Sequence, residues 1–496
     1  MATGVARLPG PLGPAAEATP ARAGPAVRED QRPGLVLAFA YAWFLAAARA
    51  IDVAESGVAI TVFGASFSAA ALVAALVRPS WYLPLVVAYL PFSRVYSLPV
   101  PGVTGLNVTN LALLAGVVAL AGTRARRWPR RRLRAVEGLT LAYVAVGSLS
   151  VVPAWFGGHT AGEILLDYRA WLAPVVLFFL ARGLVRDRRD VQGVLWVLAW
   201  TVLLVALCTW KEGIDRGSRG SIDSARVRGL LEQSNSMGAF LAYYGTPLLA
   251  FALTARPLKR ALPYLAGFLV TARVTLYTFS RGAYLSTLAG AATVLLLGNP
   301  LLFVAASGGG AAAVAAFPAL VPDSVRERLG HTQNDSLEAE SSLDKSSTYR
   351  LIIWRGALRM VAERPAQGVG LNRFAETIED YTSEVLGPDD PRDAHNAFLL
   401  VAAEMGVPAL AVLLALFAAW AAAGLRLHRG RRHPVDRRLA LAFLGSLSAV
   451  AVSGMLGSRF SEEALIGCFW VLAGLTMAVA GMREPPRRPR RRGRPA

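Results

Sequence analysis

A few arginines of this 496-residue sequence stand where a positive charge is costly. Arg281 occurs in Thr278-Phe-Ser280-Arg281-Gly282-Ala283-Tyr284, between two apolar runs with almost no loop. A charge at or near membrane depth usually faces an interior or a cavity. Two readings of Arg281 stand: it snorkels to lipid headgroups, or it grips an anion such as phosphate with its bidentate fork. Arg226 and Arg228 precede the apolar run that begins near 235, and Arg350 opens an amphipathic stretch. Alone, Arg350 reads as a solvated or interfacial arginine. Beside Arg281 and Arg226 or Arg228 it would complete a cationic cluster suited to a pyrophosphate carried on a lipid.

Five histidines are present. His428 and His433 lie in a basic loop, and His159 and His331 in loops without a partner pattern. His395 differs, standing in Asp390-Pro-Arg392-Asp393-Ala-His395-Asn396-Ala-Phe398-Leu399 at the start of a membrane helix. Asp393 is the expected N-cap of that helix. The positive end of a helix favours neutral imidazole, which is a competent general base near pH 7. The alternative is a cap or hydrogen-bond partner. No HExxH, no Cys/His cluster and no GxxxxGK[ST] loop occurs, so neither metal nor cofactor is expected. Cys208 and Cys468 fall inside apolar runs and read as small core residues.

The elements that position these residues follow from composition. Hydrophobic residues make up 54% of the chain and charged ones 17%, against roughly 45–50% and 25% in soluble chains. Apolar residues come in runs of about 17–22, enough to cross roughly 30 Å of hydrocarbon as helix. About fourteen such runs extend from 35–52 to 462–482. The count is open by about two: 81–97 contains Pro91 and Arg94, and 282–298 is split from 300–318 only by Gly298, Asn299 and Pro300. The fold class is therefore an all-α polytopic membrane bundle of about 12–14 transmembrane helices.

Net charge is +19, which in a soluble chain would point to nucleic acid. Here the arginines lie in short loops, at 124–134, 186–189, 256–260, 426–438 and 483–494. That is the positive-inside pattern, and it predicts both termini in the cytoplasm and an even number of spans. The division is a cytoplasmic tail (1–34, disordered, without signal-peptide order), membrane helices (35–318), one large extracytoplasmic loop (319–395), further membrane helices (396–482) and a basic tail (483–496). Within the loop, Ser347 to Glu363 is an amphipathic helix with Leu351, Trp354, Leu358 and Val361 on one stripe, expected to lie in the membrane interface.

Several motifs, in this order and topology, resemble those of the O-antigen ligase and polymerase superfamily, the WaaL/Wzy-type proteins. Ala394-His395-Asn396-Ala-Phe398-Leu399, followed by Glu404-Met-Gly406, is similar to that superfamily's signature before a membrane helix. Ser280-Arg281-Gly282-Ala283 resembles its SRGA turn, and Tyr349-Arg350 with Trp354, Ala357 and Met360 its loop helix. Gly368-Val-Gly370-Leu-Asn372-Arg-Phe374 resembles its Gly-x-Gly-x-x-x-Phe turn, and Arg228-Gly229 with Asn235 an earlier piece. The resemblance covers roughly 190–480; Ala409 and Ser234-Asn235-Ser236 depart from the usual residues.

The resemblance implies an inverting, metal-independent glycosyltransferase of the bacterial inner membrane. Its donor would be an oligosaccharide on undecaprenyl pyrophosphate. Its acceptor would be lipid A–core for a ligase, or a second lipid-linked glycan for a polymerase. Arg281, Arg350 and Arg228 would hold the pyrophosphate, with Arg226 and Glu404 in support. His395 would orient or deprotonate the acceptor hydroxyl, aided by Asn396. A transporter or flippase for lipid-linked sugars, or a non-catalytic scaffold, is the alternative. No inverted-repeat pairing of broken helices favours the transporter.

Overall fold

The computed structural model describes residues 32–50, 57–96, 107–127, 135–216, 226–317, 345–382, 392–430 and 433–482. Nearly all of the expected tails, residues 128–134 of the 124–134 basic stretch and most of the large loop lie outside the described residues. All the described residues belong to one compact unit, Gln31–Ala496.

The architecture is all-α, and each of the fourteen apolar runs falls on helix. The first half contains α1 (Arg32–Ala50), α2 (Gly57–Val77), α3 (Pro79–Tyr89), α4 (Ser93–Tyr96), α5 (Val108–Arg127), α6 (Ala135–Leu149), α7 (Val152–Phe156), α8 (Ala161–Leu184) and α9 (Arg188–Arg216). There follow α10 (Ser234–Thr254), α11 (Leu262–Leu276), α12 (Arg281–Gly298), α13 (Pro300–Ala316) and α14 (Lys345–Glu363). Two single turns, α15 (Phe374–Thr377) and α16 (Glu379–Thr382), precede α17 (Ala397–Gly430), α18 (Pro434–Gly454) and α19 (Glu463–Ala480). Among the described residues, six segments are long and apolar enough to cross a membrane: Ala135–Phe156, Ala161–Leu184, Arg188–Arg216, Ser234–Thr254, Ala397–Gly430 and Glu463–Ala480. The protein is thus a polytopic membrane bundle.

Local sequence sets the breaks. Pro91 falls in a 3-10 turn between α3 and α4, because proline cannot donate to the preceding turn. Asn299 separates α12 from α13; its side chain accepts from Leu302 N at 3.2 Å, and Pro300 occupies the first helical position, a favoured start. Thr160 and Glu163 form a reciprocal capping box at the head of α8, satisfying two otherwise orphaned donors.

Helices α10 and α19 are central: 89% of the apolar window of each is buried, against 33% for Ala135–Phe156. Tyr244 Oη couples them, donating to Leu465 O and accepting from Phe469 N at 2.9 Å. α10 packs on α12 and α18, where small residues let backbones approach. A Cβ added at Gly290 would lie 2.9 Å from Gly445 O, the small-residue packing that membrane helices use in place of a hydrophobic driving force. α13 buries no residue against the rest of the protein.

The long helix α17 carries the one sharp break of consequence. Gly406 adopts φ +81°, a left-handed conformation that residues with a Cβ resist. The segment Pro365–Arg373 crosses at that break: Val407 N donates to Pro365 O at 2.8 Å, Val369 N to Ala403 O at 2.9 Å and Gly370 N to Glu404 O at 3.0 Å. A Cβ on Gly406 would fall 2.5 Å from Ala366 O. The Glu-x-Gly piece of the sequence is the seat of this crossing.

The buried stripe of α14 differs from the expected one. Ile353, Ala357 and Met360 are buried, with Val369, Phe374, Ile378 and Ala394 around them. Leu351 and Leu358 are 40% and 60% exposed. The expected stripe is thus split: Trp354 and Val361 meet the protein beside this face, whereas Leu351 and Leu358 point outward.

Candidate active site

Helix α10 runs between two clusters of charged side chains. At its C-terminal end are the basic loops. Arg188 of α9 forks onto Asp436 of α18 at 2.7 and 2.8 Å. Arg182 binds Glu137 at 2.6 Å, and Arg438 donates to Gln192 Oε1 at 2.8 Å and to Thr254 Oγ1 at 3.1 Å.

At the N-terminal end of α10 are the candidates. Arg226 Nη2 donates to Asn235 Oδ1 at 2.8 Å and its Nε to Thr278 O at 3.1 Å. These bonds fasten the segment before α10 to the turn carrying Arg281. Ser280 caps α12, accepting from Ala283 N at 3.4 Å, and so fixes Arg281 at the first helical position. A Cβ at Gly282 would contact Leu456 of the α18–α19 loop at 3.3 Å. Arg226 therefore positions this turn.

His395 is held by three elements. Trp354 Nε1 of α14 donates to Ala394 O at 2.7 Å, and Arg392 pairs with Glu379 at 2.7 Å. Asp393 Oδ1 accepts from His395 N at 3.1 Å, an Asx turn. His395 itself adopts φ +46°. Asp393 is not the helix cap, in contrast to the sequence expectation. A residue at positive φ cannot join the helix, so α17 starts after it and Asn396 caps: its Oδ1 accepts from Phe398 N and Leu399 N, both at 3.1 Å. Asn396 thereby serves the helix end next to His395.

Asp393 Oδ2 lies 3.3 Å from His395 Nδ1 without hydrogen-bond geometry, and that buried nitrogen has no hydrogen-bond partner. Burial pushes the imidazole pKa below its ordinary 6.5; Asp393 opposes this, while the positive charges of Arg350 and Arg459 reinforce it. Arg350 and His395, far apart in sequence, are thus brought together.

Arg459 is the residue that sequence reasoning missed. It is 7% exposed and lies between α18 and α19. Among the described residues its guanidinium makes one hydrogen bond, from Nε to Ser236 Oγ at 3.2 Å. Ser236 also donates towards Glu462 Oε1 at 3.2 Å. Burial raises the pKa of Glu462 above the carboxylate range, with Arg459 opposing. The signal was available: Arg459 breaks the charge rule of the short loops as Arg281 does.

Two other candidates have different surroundings. The backbone N–H groups of Arg228 and Gly229 donate to Glu212 at 3.0 and 2.7 Å. The Arg228 side chain is exposed, with no hydrogen bond or ion pair among the described residues. Glu404 is buried and accepts from Phe374 N at 3.2 Å, so it secures the Gly-rich turn on α17. That turn is also locked to α8, through Arg373 and Asn372 on Asp167 at 2.5 and 2.8 Å. His159 has partners after all, Arg373 at 3.1 Å and Glu376 at 3.2 Å.

A comparison with curated proteins found no match. Residues 266–414 match the family model described as O-antigen ligase. The matched stretch contains Arg281, Arg350, His395 and Glu404 but stops short of Arg459. Residues 266–414 thus resemble an O-antigen ligase domain, which supports a membrane enzyme of O-antigen or polysaccharide assembly.

Proposed function

We propose that the protein transfers a glycan from undecaprenyl pyrophosphate to an acceptor hydroxyl at the outer face of the bacterial inner membrane, as polymerase or ligase. The observation that carries this reading is a half-buried histidine under the charges of Arg350 and Arg459, at the end of α10 where Arg226 also fastens the Arg281 turn.

His395 takes the proton of the acceptor hydroxyl as its oxygen attacks the anomeric carbon of the donor. A new glycosidic C–O bond forms as the bond from that carbon to pyrophosphate breaks, with inversion. The leaving pyrophosphate gains negative charge, which Arg281, Arg350 and Arg459 stabilise; Arg228 approaches from the exposed segment. These guanidiniums supply the charge compensation, so the reaction is metal-independent. Asn396 and Asp393 fix the His395 backbone, and Glu404 holds the turn beneath it.

The test is complementation of a strain lacking the protein with wild type, His395→Ala, Arg281→Ala and Arg350→Ala at matched membrane expression. Single lipid-linked repeats identify a polymerase. Long lipid-linked chains not transferred to lipid A–core identify a ligase. Wild-type glycan from all three variants would sink the catalytic assignment and favour a transporter or scaffold.

A further inference from the structure

Beside the first turns of α17 the bundle opens into a cleft. One wall is aromatic: Tyr143 of α6, Trp171 of α8 and Phe460 of the α18–α19 loop. The Tyr143 and Trp171 rings lie 5.2 Å apart at 48°, and the indole N–H donates to the phenol oxygen at 3.4 Å. The polar lining is Asp167, Asn372, Glu404 and Ser461. Asn372 gives its amide to Asp167 at 2.8 Å, so its own carbonyl oxygen remains to accept. Ser461 is exposed, and its hydroxyl makes no hydrogen bond to a described residue.

This two-sided lining discriminates between ligands. A lipid tail has no use for the carboxylate, amide and hydroxyl. A phosphate would meet the Asp167 carboxylate. A pyranose ring matches both walls, because its C–H face packs on the half-buried Phe460 ring, backed by the buried Tyr143 and Trp171, and its hydroxyl rim both donates and accepts. Pockets that fix a ligand by a few convergent polar groups on an aromatic bed have this character.

The α18–α19 loop locates the cleft relative to the chemistry. Leu456 lies against the Arg281 turn, Arg459 acts on His395, and Phe460 and Ser461 line the cleft. Ala397, two residues beyond His395, lines it as well. Along this loop, then, His395 comes between the arginine-bearing turn and the cleft.

We propose that this cleft binds the acceptor sugar as a pyranose ring, presenting its attacking hydroxyl to His395 from the side opposite the pyrophosphate. The inference rests on the glycosyl-transfer reading given above. The donor's own sugar has the same chemistry, and the experiment separates the two.

Ala170 and Ser461 are exposed positions in the lining, so Ala170→Trp and Ser461→Trp fill the cleft without touching the core. Asn372→Ala is a milder third variant. The probe is the repeat oligosaccharide released by mild acid from the host's own surface glycan, free of lipid and phosphate. Its binding to full-length protein in nanodiscs is read by saturation-transfer NMR, and binding of the undecaprenyl-pyrophosphate-linked repeat is measured in parallel. The expected result is oligosaccharide binding by wild type and His395→Ala, weakened about tenfold or more in both tryptophan variants, with lipid-linked donor binding retained. Failure of wild type to bind the oligosaccharide, or equal binding by the tryptophan variants, would overturn the proposal. Loss of donor binding instead would make the cleft the donor's sugar site and overturn the acceptor assignment. Full transfer activity in His395→Ala would fail the underlying glycosyl-transfer reading, a result separate from any binding outcome.

Discussion

The two ends of α10 use arginine in opposite ways. At the basic end, Arg188 forks onto Asp436 and Arg182 pairs with Glu137, carboxylates that are 0% and 1% exposed. Their charges are cancelled within the fold. At the other end, Arg459 is bonded to the hydroxyl of Ser236 and to no carboxylate among the described residues. A neutral oxygen orients a guanidinium without forming an ion pair. Arg373 shows that the distinction is one of partner rather than of location. It lies near the second group, is paired to Asp167, and serves as a clasp. What an arginine is bonded to, more than where it falls in the chain, separates a structural cation from one available to an anionic substrate.

Mutations at the two ends should therefore fail differently. The largest effect is expected from His395→Ala, which should lower glycan transfer about 10²–10⁴-fold, the worth of a positioned general base, while the melting temperature in detergent stays at the wild-type value. Arg188→Ala should do the reverse. It strands the buried Asp436 carboxylate, costing about 3–5 kcal/mol, seen as a lower melting temperature with unchanged transfer per folded molecule. Arg459→Ala should cost about 10²–10³-fold in transfer, as loss of one transition-state donor does; a large loss of stability with little loss of transfer would move Arg459 to the structural group. The smallest effect concerns pH. The base works when neutral, so transfer should fall as pH drops through the His395 pKa, which lies below 6.5. Asp393 raises that pKa, so Asp393→Asn should move the acid limb of the activity profile to lower pH.

Much of the fold was legible because membrane spans are local. Apolar length sets a helix, and Pro91 or Asn299-Pro300 ends one, whatever the helix packs against. Side-chain partners are not local. Asp393 and Asn396 are both good N-caps, and only the left-handed backbone of His395 decides between them. The stripe expected on α14 is split, and periodicity cannot say which apolar residues meet protein; Trp354, Ala357 and Met360 contact the His395 loop or its core, whereas Leu358 is 60% exposed. Arg281, Arg350 and His395 were found by position and motif. Arg459 escaped because Gly457-Ser458-Arg459-Phe460 reads as an ordinary tight loop, and its value lies in neighbours more than two hundred residues earlier, such as Ser236.

The most direct test is release of undecaprenyl pyrophosphate from the host's lipid-linked repeat by purified protein in nanodiscs, comparing wild type, His395→Ala and Arg188→Ala. The account predicts release by wild type, donor binding without release by His395→Ala, and wild-type release by the folded fraction of Arg188→Ala. Undiminished release by His395→Ala would contradict it.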